Sequence, residues 1–200
     1  MSAVAQSPSP VYSGDPAVLG LPMFVVGSIA LGLALTGYVS AAAAASVVPI
    51  LLMATGLGLL ISAVWAAALG QSMVASIFGV FAGFWLSYSV LVLGLNHDWF
   101  KIPAADVTDS IALFQLAWAI ALGMVTIATM KLPFAFTAIA ALVVVALVML
   151  VISTKNANAD LAKAAGYVVF VFAAIGFYAF LGAASAASGG KAYPLGPSLL

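Results

Sequence analysis

From Ala17 to Ala187 the chain alternates long apolar runs with brief polar or turn-forming breaks, and strictly alternating strand patterns are absent. A membrane-spanning helix needs about 20 consecutive, mostly apolar residues. Runs of that length fall near 17–39, 46–69, 72–95, 109–130, 132–154 and 161–187, and they predict six transmembrane helices. The short joints at Gly70-Gln71 and Met130-Lys131-Leu132 predict tight antiparallel hairpins. The longer break at 96–108 carries Trp99 and Lys101, residue types that anchor at a membrane interface. Residues 1–14, rich in Ser and Pro, predict a disordered N-terminal tail; 15–188 form the transmembrane domain and 189–200 a C-terminal tail. The first apolar run has no Lys or Arg before it, so it is expected to remain a span rather than serve as a cleaved signal.

The first break is also the most informative. In Gly14-Asp15-Pro16-Ala17, a carboxylate able to accept from the free N–H groups of a helix start is followed by a residue with the fixed φ of a first helical position. A helix begins here, at a membrane surface. A helix start also carries partial positive charge and attracts anions, so the same residues read either as a plain cap or as an anion-attracting mouth.

Composition sharpens the membrane assignment. Hydrophobic residues make up 66% of the 200 positions and charged residues only 5%, against about 25% in soluble domains. Five Lys and five Asp cancel, and with no Arg there is no basic face for nucleic acid. The lack of Cys excludes disulfides and thiolate metal sites, and one His is too few for a conventional transition-metal site, so no metal or other cofactor is expected. With six spans both termini share one side; Lys131 and Lys191 then lie there and Lys101, Lys155 and Lys163 opposite, so charge does not choose the orientation.

Every charged residue and the His fall at span ends, in loops or in tails. Proton pumps commonly hold a titratable group inside the membrane, so an internal proton relay is not expected, nor is a retinal Schiff base. No nucleophile, base and orienting group meet within a span, and an enzyme is not expected. The polar groups inside spans are mostly hydroxyls, among them Ser28, Thr36, Thr55, Ser62, Ser87, Ser89, Thr126, Thr137 and Tyr178, with the amide of Gln115. Singly, each suits a bond to a helix backbone; as a set, they are a candidate lining for a polar path. His97 and Asp98 form either a pH-sensitive mouth or a merely solvated loop. Small residues in every span, including Gly27, Gly32, Gly37 and the Gly79-x-x-x-Gly83 pair, permit close helix packing.

The stretch Asp15-Pro16-Ala17-Val18-Leu19-Gly20-Leu21 resembles the Asn-Pro-Ala-Pro-Leu-Gly-Leu signature of the acetate uptake transporter family, also called succinate–acetate permeases. The resemblance extends to Phe84-Trp85-Leu86, Trp118, Lys131, Ala165-Gly166-Tyr167 and the ending Tyr193-Pro194-Leu195-Gly196, and so covers nearly the whole chain. It implies an all-α polytopic bundle of six transmembrane helices with a pore in each protomer, assembled as a homohexamer that passes acetate and related short carboxylates across the cell membrane. It implies a pore constriction at Phe24, Phe81 and Ile139. It also implies a substrate pathway through Asp15, Pro16, Ala17, Leu19 and Gly20, with Gly176 and Tyr178 further along the pore. Four positions depart from the family pattern: Asp15 stands for Asn, Phe81 for a frequent Tyr, Leu59 for a mid-span Gln and Ala66 for a Glu. The losses at Leu59 and Ala66 make this pore more apolar than those of its relatives, whereas Asp15 puts a negative charge at a mouth meant for anions.

The expected function is therefore a channel or transporter for acetate and similar acids with an apolar gate. The alternatives are a channel for a small neutral solute such as ammonia, water or a gas, and a non-transporting membrane scaffold or sensor. Pro22 is expected to free the Val18 carbonyl near the mouth, since proline has no N–H to offer it.

Overall fold

The computed structural model describes residues 13–200; most of the predicted N-terminal tail lies outside them. Six helical spans cross the molecule. Helix α1 covers Ala17–Thr36, α2 Leu57–Ala68, α3 Ser72–Asn96, α4 Val107–Ala128, α5 Phe134–Asn156 and α6 Ala159–Ala187. The second span is longer than α2 and runs from Ala41 to Ala68.

That second span differs from the single helix predicted near 46–69. It opens earlier with a 3-10 stretch at Ala41–Val47, built on a run of alanines with high helix propensity, and widens into a π-helix at Ile50–Gly56 before becoming α2. Pro49, at the junction, has no N–H to continue an i→i−4 ladder from the stretch before it. The other boundaries lie within a few residues of the sequence expectation, because Gly, Pro and charged residues mark them. Gly37 ends α1 and Gly70 makes the α2–α3 turn, both with positive φ that glycine adopts without strain. Leu132 is extended before Pro133, as the residue preceding a proline prefers, and this separates α4 from α5.

Chain order is also spatial order. Each helix packs on the next, and α6 returns to pack on α1, which closes a ring of six helices around a central axis. The α1–α6 contact is intimate: a Cβ on Gly166 would sit 2.9 Å from Leu35 and 3.3 Å from the Gly32 carbonyl. With lipid as solvent no hydrophobic force joins helices, so such close approach is what holds them. The sparsest backbone seam lies between α3 and α4, which are joined instead through rings: Phe84 packs on Phe114 and Trp118 at 6.1 and 5.6 Å, and Tyr88 on Phe114 at 5.9 Å. The outer surface is apolar, as in the stripe Leu113, Leu116, Ile120, Met124 and Ile127 along α4.

The C-terminal segment is bound to the bundle. The N–H groups of Phe134 and Ala135, unpaired at the start of α5, donate to the carbonyls of Pro197 and Leu195 at 3.1 and 3.0 Å. The N–H groups of Leu199 and Leu200 donate to the Met130 carbonyl.

Candidate functional site: two cavities on the axis of the ring

Inside the ring lie two cavities that share Phe24 and Phe81 in their walls. The larger, about 210 Å³, is lined by residues near the starts of α1, α3 and α5 and the end of α4, including Asp15, Ala17, Val74, Thr129 and Phe136. The smaller, about 80 Å³, is lined from the opposite ends of the same helices, by Leu35, Tyr88, Gln115 and Leu150, together with Val169 near the start of α6. Alternating helix direction makes this arrangement. The α1 and α3 starts open to one side, and their later turns carry side chains to the other.

Phe24 and Phe81 meet edge to face with centroids 5.1 Å apart, a favourable aromatic geometry. Phe172 supports Phe24 from α6 at 5.7 Å. Ile139 lines the larger cavity beside them, and all three residues are buried. Phe24 and Phe81 thus part the two cavities, and Ile139 joins them in the wall of the larger one. Gly176 stands behind Phe24: a Cβ there would lie 3.2 Å from Val25 and 3.3 Å from the Phe24 ring, so glycine leaves Phe24 room for its position.

The opening signature is split by the fold. Asp15 and Ala17 line the larger cavity, whereas Pro16 is buried, Leu19 is half-buried outside the lining, and Gly20 is pressed beneath the Phe78 ring, where any Cβ would collide. The expected free N–H groups are already engaged. Ala17 N–H donates to Asp15 Oδ1 at 2.9 Å, Val18 N–H to the Asp15 carbonyl, and Leu19 and Gly20 N–H to the Pro16 carbonyl. Asp15 is the capping residue, and this helix start offers an anion little beyond its dipole.

Tyr178 lies away from both cavities. It is 41% exposed on the outer face, and its hydroxyl donates to the Pro194 carbonyl at 3.2 Å beside the Tyr193 ring. Most span hydroxyls are likewise spent on their own helices: Ser28, Thr36, Ser62, Ser87, Ser89 and Thr126 each donate to the carbonyl four residues back, and Thr137 to that of Thr129. They do not form a polar lining, because a short hydroxyl side chain reaches its own helix carbonyl before it reaches the axis. Asp98 pairs with Lys101 at 2.8 Å and His97 stacks on Trp99, so these two neighbours act separately.

Among the residues that line the small cavity, Trp85, Tyr88 and Gln115 carry polar atoms. Gln115 Oε1 accepts from Thr154 Oγ1 at 3.1 Å. The indole Nε1 of Trp85 is fully buried and has no hydrogen-bond partner among the described residues. Leaving a buried donor unpaired costs about 1–3 kcal/mol. Sequence reading noted Trp85 only as part of a resemblance; that its N–H is unpaired is a tertiary fact with no local signal. Leu59 and Ala66, two of the positions expected to depart from the family pattern, are fully buried, and Leu59 lines the large cavity.

The pattern that defines the GPR1/FUN34/yaaH family matches residues 2–194. The chain belongs to that family. Among characterised GPR1/FUN34/yaaH relatives, it is 27% identical over 176 residues to the ammonia transport outward protein 2 of Saccharomyces cerevisiae, a match that covers 86% of this chain and 62% of that protein. It is 27% identical over 184 residues to the acetate transporter protein patA of Aspergillus clavatus, covering 87% of this chain and 74% of that one. The chain therefore spans somewhat less than two thirds of the first of these. The solved bacterial acetate channel SatP shares the fold, with a TM-score of 0.80 and 19% identity over 92% of this chain and 99% of that one. The six-helix membrane fold and the family resemblance expected from the sequence both stand.

Proposed function

We propose that this protein is a membrane channel or transporter for acetate and related short-chain carboxylates, with its gate at Phe24, Phe81 and Ile139. The observation that carries the reading is the pair of cavities on the axis of a closed helix ring, parted by two phenyl rings in edge-to-face contact. Relatives named as acetate transporters and the fold of an acetate channel support the choice of solute.

The chemistry sets terms for passage. Stripping water from a carboxylate costs several kcal/mol unless other groups replace it, and the aromatic layer has no hydrogen-bonding side chain. The solute crosses the layer either as the neutral acid or as an anion that keeps part of its water when the rings part. Asp15 at the wide mouth opposes an anion, and the polar groups of the smaller cavity favour one. Gly176 sets how far Phe24 can retreat and hence the size of acid admitted. Pro16, Leu19 and Gly20 shape the α1 start rather than touch solute.

The apolar wall of the larger cavity and the relative named for ammonia export support a second reading, passage of a small neutral solute. Assembly as a homohexamer in the cell membrane follows the family resemblance, and the apolar α4 stripe is one face able to meet a second copy or lipid. Labelled-acetate uptake into vesicles holding the purified protein tests the main reading, and competition between acetate and ammonia separates it from the second. Native mass spectrometry reads the assembly.

A further inference from the structure

Residues 193–200 have no regular secondary structure, yet hydrogen bonds tie them across the ends of three elements on the side of the larger cavity. On α6 the Tyr178 hydroxyl donates to the Pro194 carbonyl, and the Tyr193 ring lies 5.6 Å from that of Tyr178. Gly182 lets the segment lie flat there, since a Cβ would stand 3.0 Å from the Tyr193 nitrogen. At the α5 start the segment supplies the Pro197 and Leu195 carbonyls to Phe134 and Ala135 N–H, and at the α4–α5 corner the N–H groups of Leu199 and Leu200 reach the Met130 carbonyl at 2.9 and 3.1 Å. Gly196 carries it over the α5 start with φ of 82°, where a Cβ would stand 3.0 Å from Phe134 Cβ.

Thr129, Leu132 and Phe136 of the same corner line the larger cavity, whereas residues 193–200 line neither cavity, so the segment acts on the mouth only through the corner it holds. On its other flank the corner is lightly held, because α3 and α4 meet mainly through aromatic rings. The segment's own grip is also breakable. Apart from half-buried Leu195, every one of residues 193–200 is exposed. Exposed hydrogen bonds with little buried apolar surface behind them open locally at far less cost than the helices they bridge. We infer that residues 193–200 are a releasable strap that ties the α4–α5 corner to α6, and that its detachment lets the corner swing outward and widens the mouth of the larger cavity. Detachment frees the N–H groups of Phe134, Ala135, Leu199 and Leu200 together, and the unpaired groups left at the α5 start favour reseating. The strap concerns the shape of the mouth and is independent of which solute enters it.

The chain has no Cys, so spin labels can be placed on the full chain in lipid nanodiscs by substitution alone. Ser72→Cys and Lys131→Cys put one label at the α3 start and one at the α4–α5 corner, both at exposed positions across the wide mouth. Adding Gly196→Val forces a β-branched residue into positive φ against Phe134 and so dislodges the strap. The mean distance between the labels should then lengthen by roughly 2 Å or more, the scale of a helix-end shift. In the wild type, the amides of Phe134, Ala135, Leu199 and Leu200 should share one degree of protection from hydrogen exchange, well below that of Val143 in the middle of α5, so the test does not depend on the variant folding. An unchanged distance in a folded Gly196→Val protein overturns the strap. So do Phe134 and Ala135 amides as protected as that of Val143. If the distance lengthens but neither protein moves acetate into vesicles, the strap stands and the transport reading fails.

Discussion

The two cavities flanking Phe24 and Phe81 differ in size and in what they offer a carboxylate. The wide one holds about 210 Å³ behind a mostly apolar wall, with an acidic side chain at its mouth and a helix start whose N–H groups are already bonded. The narrow one holds about 80 Å³ and gathers Trp85, Tyr88 and Gln115, one of them an unpaired buried donor. Polar side chains other than a carboxylate are therefore concentrated on one side of the apolar layer and volume on the other. On the proposed reading the pore needs no fixed cation, because solute enters a loosely binding vestibule, crosses two rings and meets polar side chains beyond them.

The largest expected effect comes from removing the partition. Phe81→Ala joins the cavities and lets water accompany the carboxylate, and lowering the crossing barrier by a few kcal/mol raises uptake roughly 10- to 100-fold. It should also admit bulkier acids, which labelled uptake of a homologous series would reveal. Gly176→Leu works in the opposite sense. Overpacking behind Phe24 costs about 1–3 kcal/mol, and where that drives the ring toward Phe81 uptake falls roughly ten-fold. The variant should fold and assemble as the wild type does.

Leu59→Gln makes the wide cavity resemble the narrow one. A buried amide without a partner costs about 1–3 kcal/mol, so the melting temperature should drop. If the amide bonds the solute, acetate should restore more of the melting temperature in this variant than in the wild type. The smallest effect belongs to Asp15→Asn, which keeps an oxygen to cap Ala17 but removes the opposing charge. Uptake at low salt should rise by no more than about two-fold, and the gain should vanish at high ionic strength because an exposed charge is screened.

The spans were legible in the sequence because each apolar run is long enough to cross lipid and ends at Gly, Pro or a charge. The π-helix at Ile50–Gly56 was not, since the local sequence marks only Pro49 and the turn geometry answers to packing against α1 and α3. The proposed gate residues entered through family resemblance, and the fold gives them a shared wall that hydropathy could not have indicated. The hydroxyls left two readings open, because composition records that Ser28 or Ser89 is polar but not that its proton is already committed to its own helix. The pathway residues Pro16, Leu19, Gly20 and Tyr178 drew weight from position in a motif, whereas burial and the bound C-terminal segment give them structural work. Trp85 was visible as a residue and invisible as an unpaired donor.

The central claim is that solute crosses the molecule between Phe24 and Phe81. Labelled-acetate uptake by vesicles containing purified wild-type or Phe81→Ala protein tests it most directly. The account predicts uptake above that of empty vesicles for the wild type, and a faster, less size-selective uptake for the variant. Uptake no greater than that of empty vesicles for both proteins, at acidic, neutral and mildly alkaline pH, would contradict it.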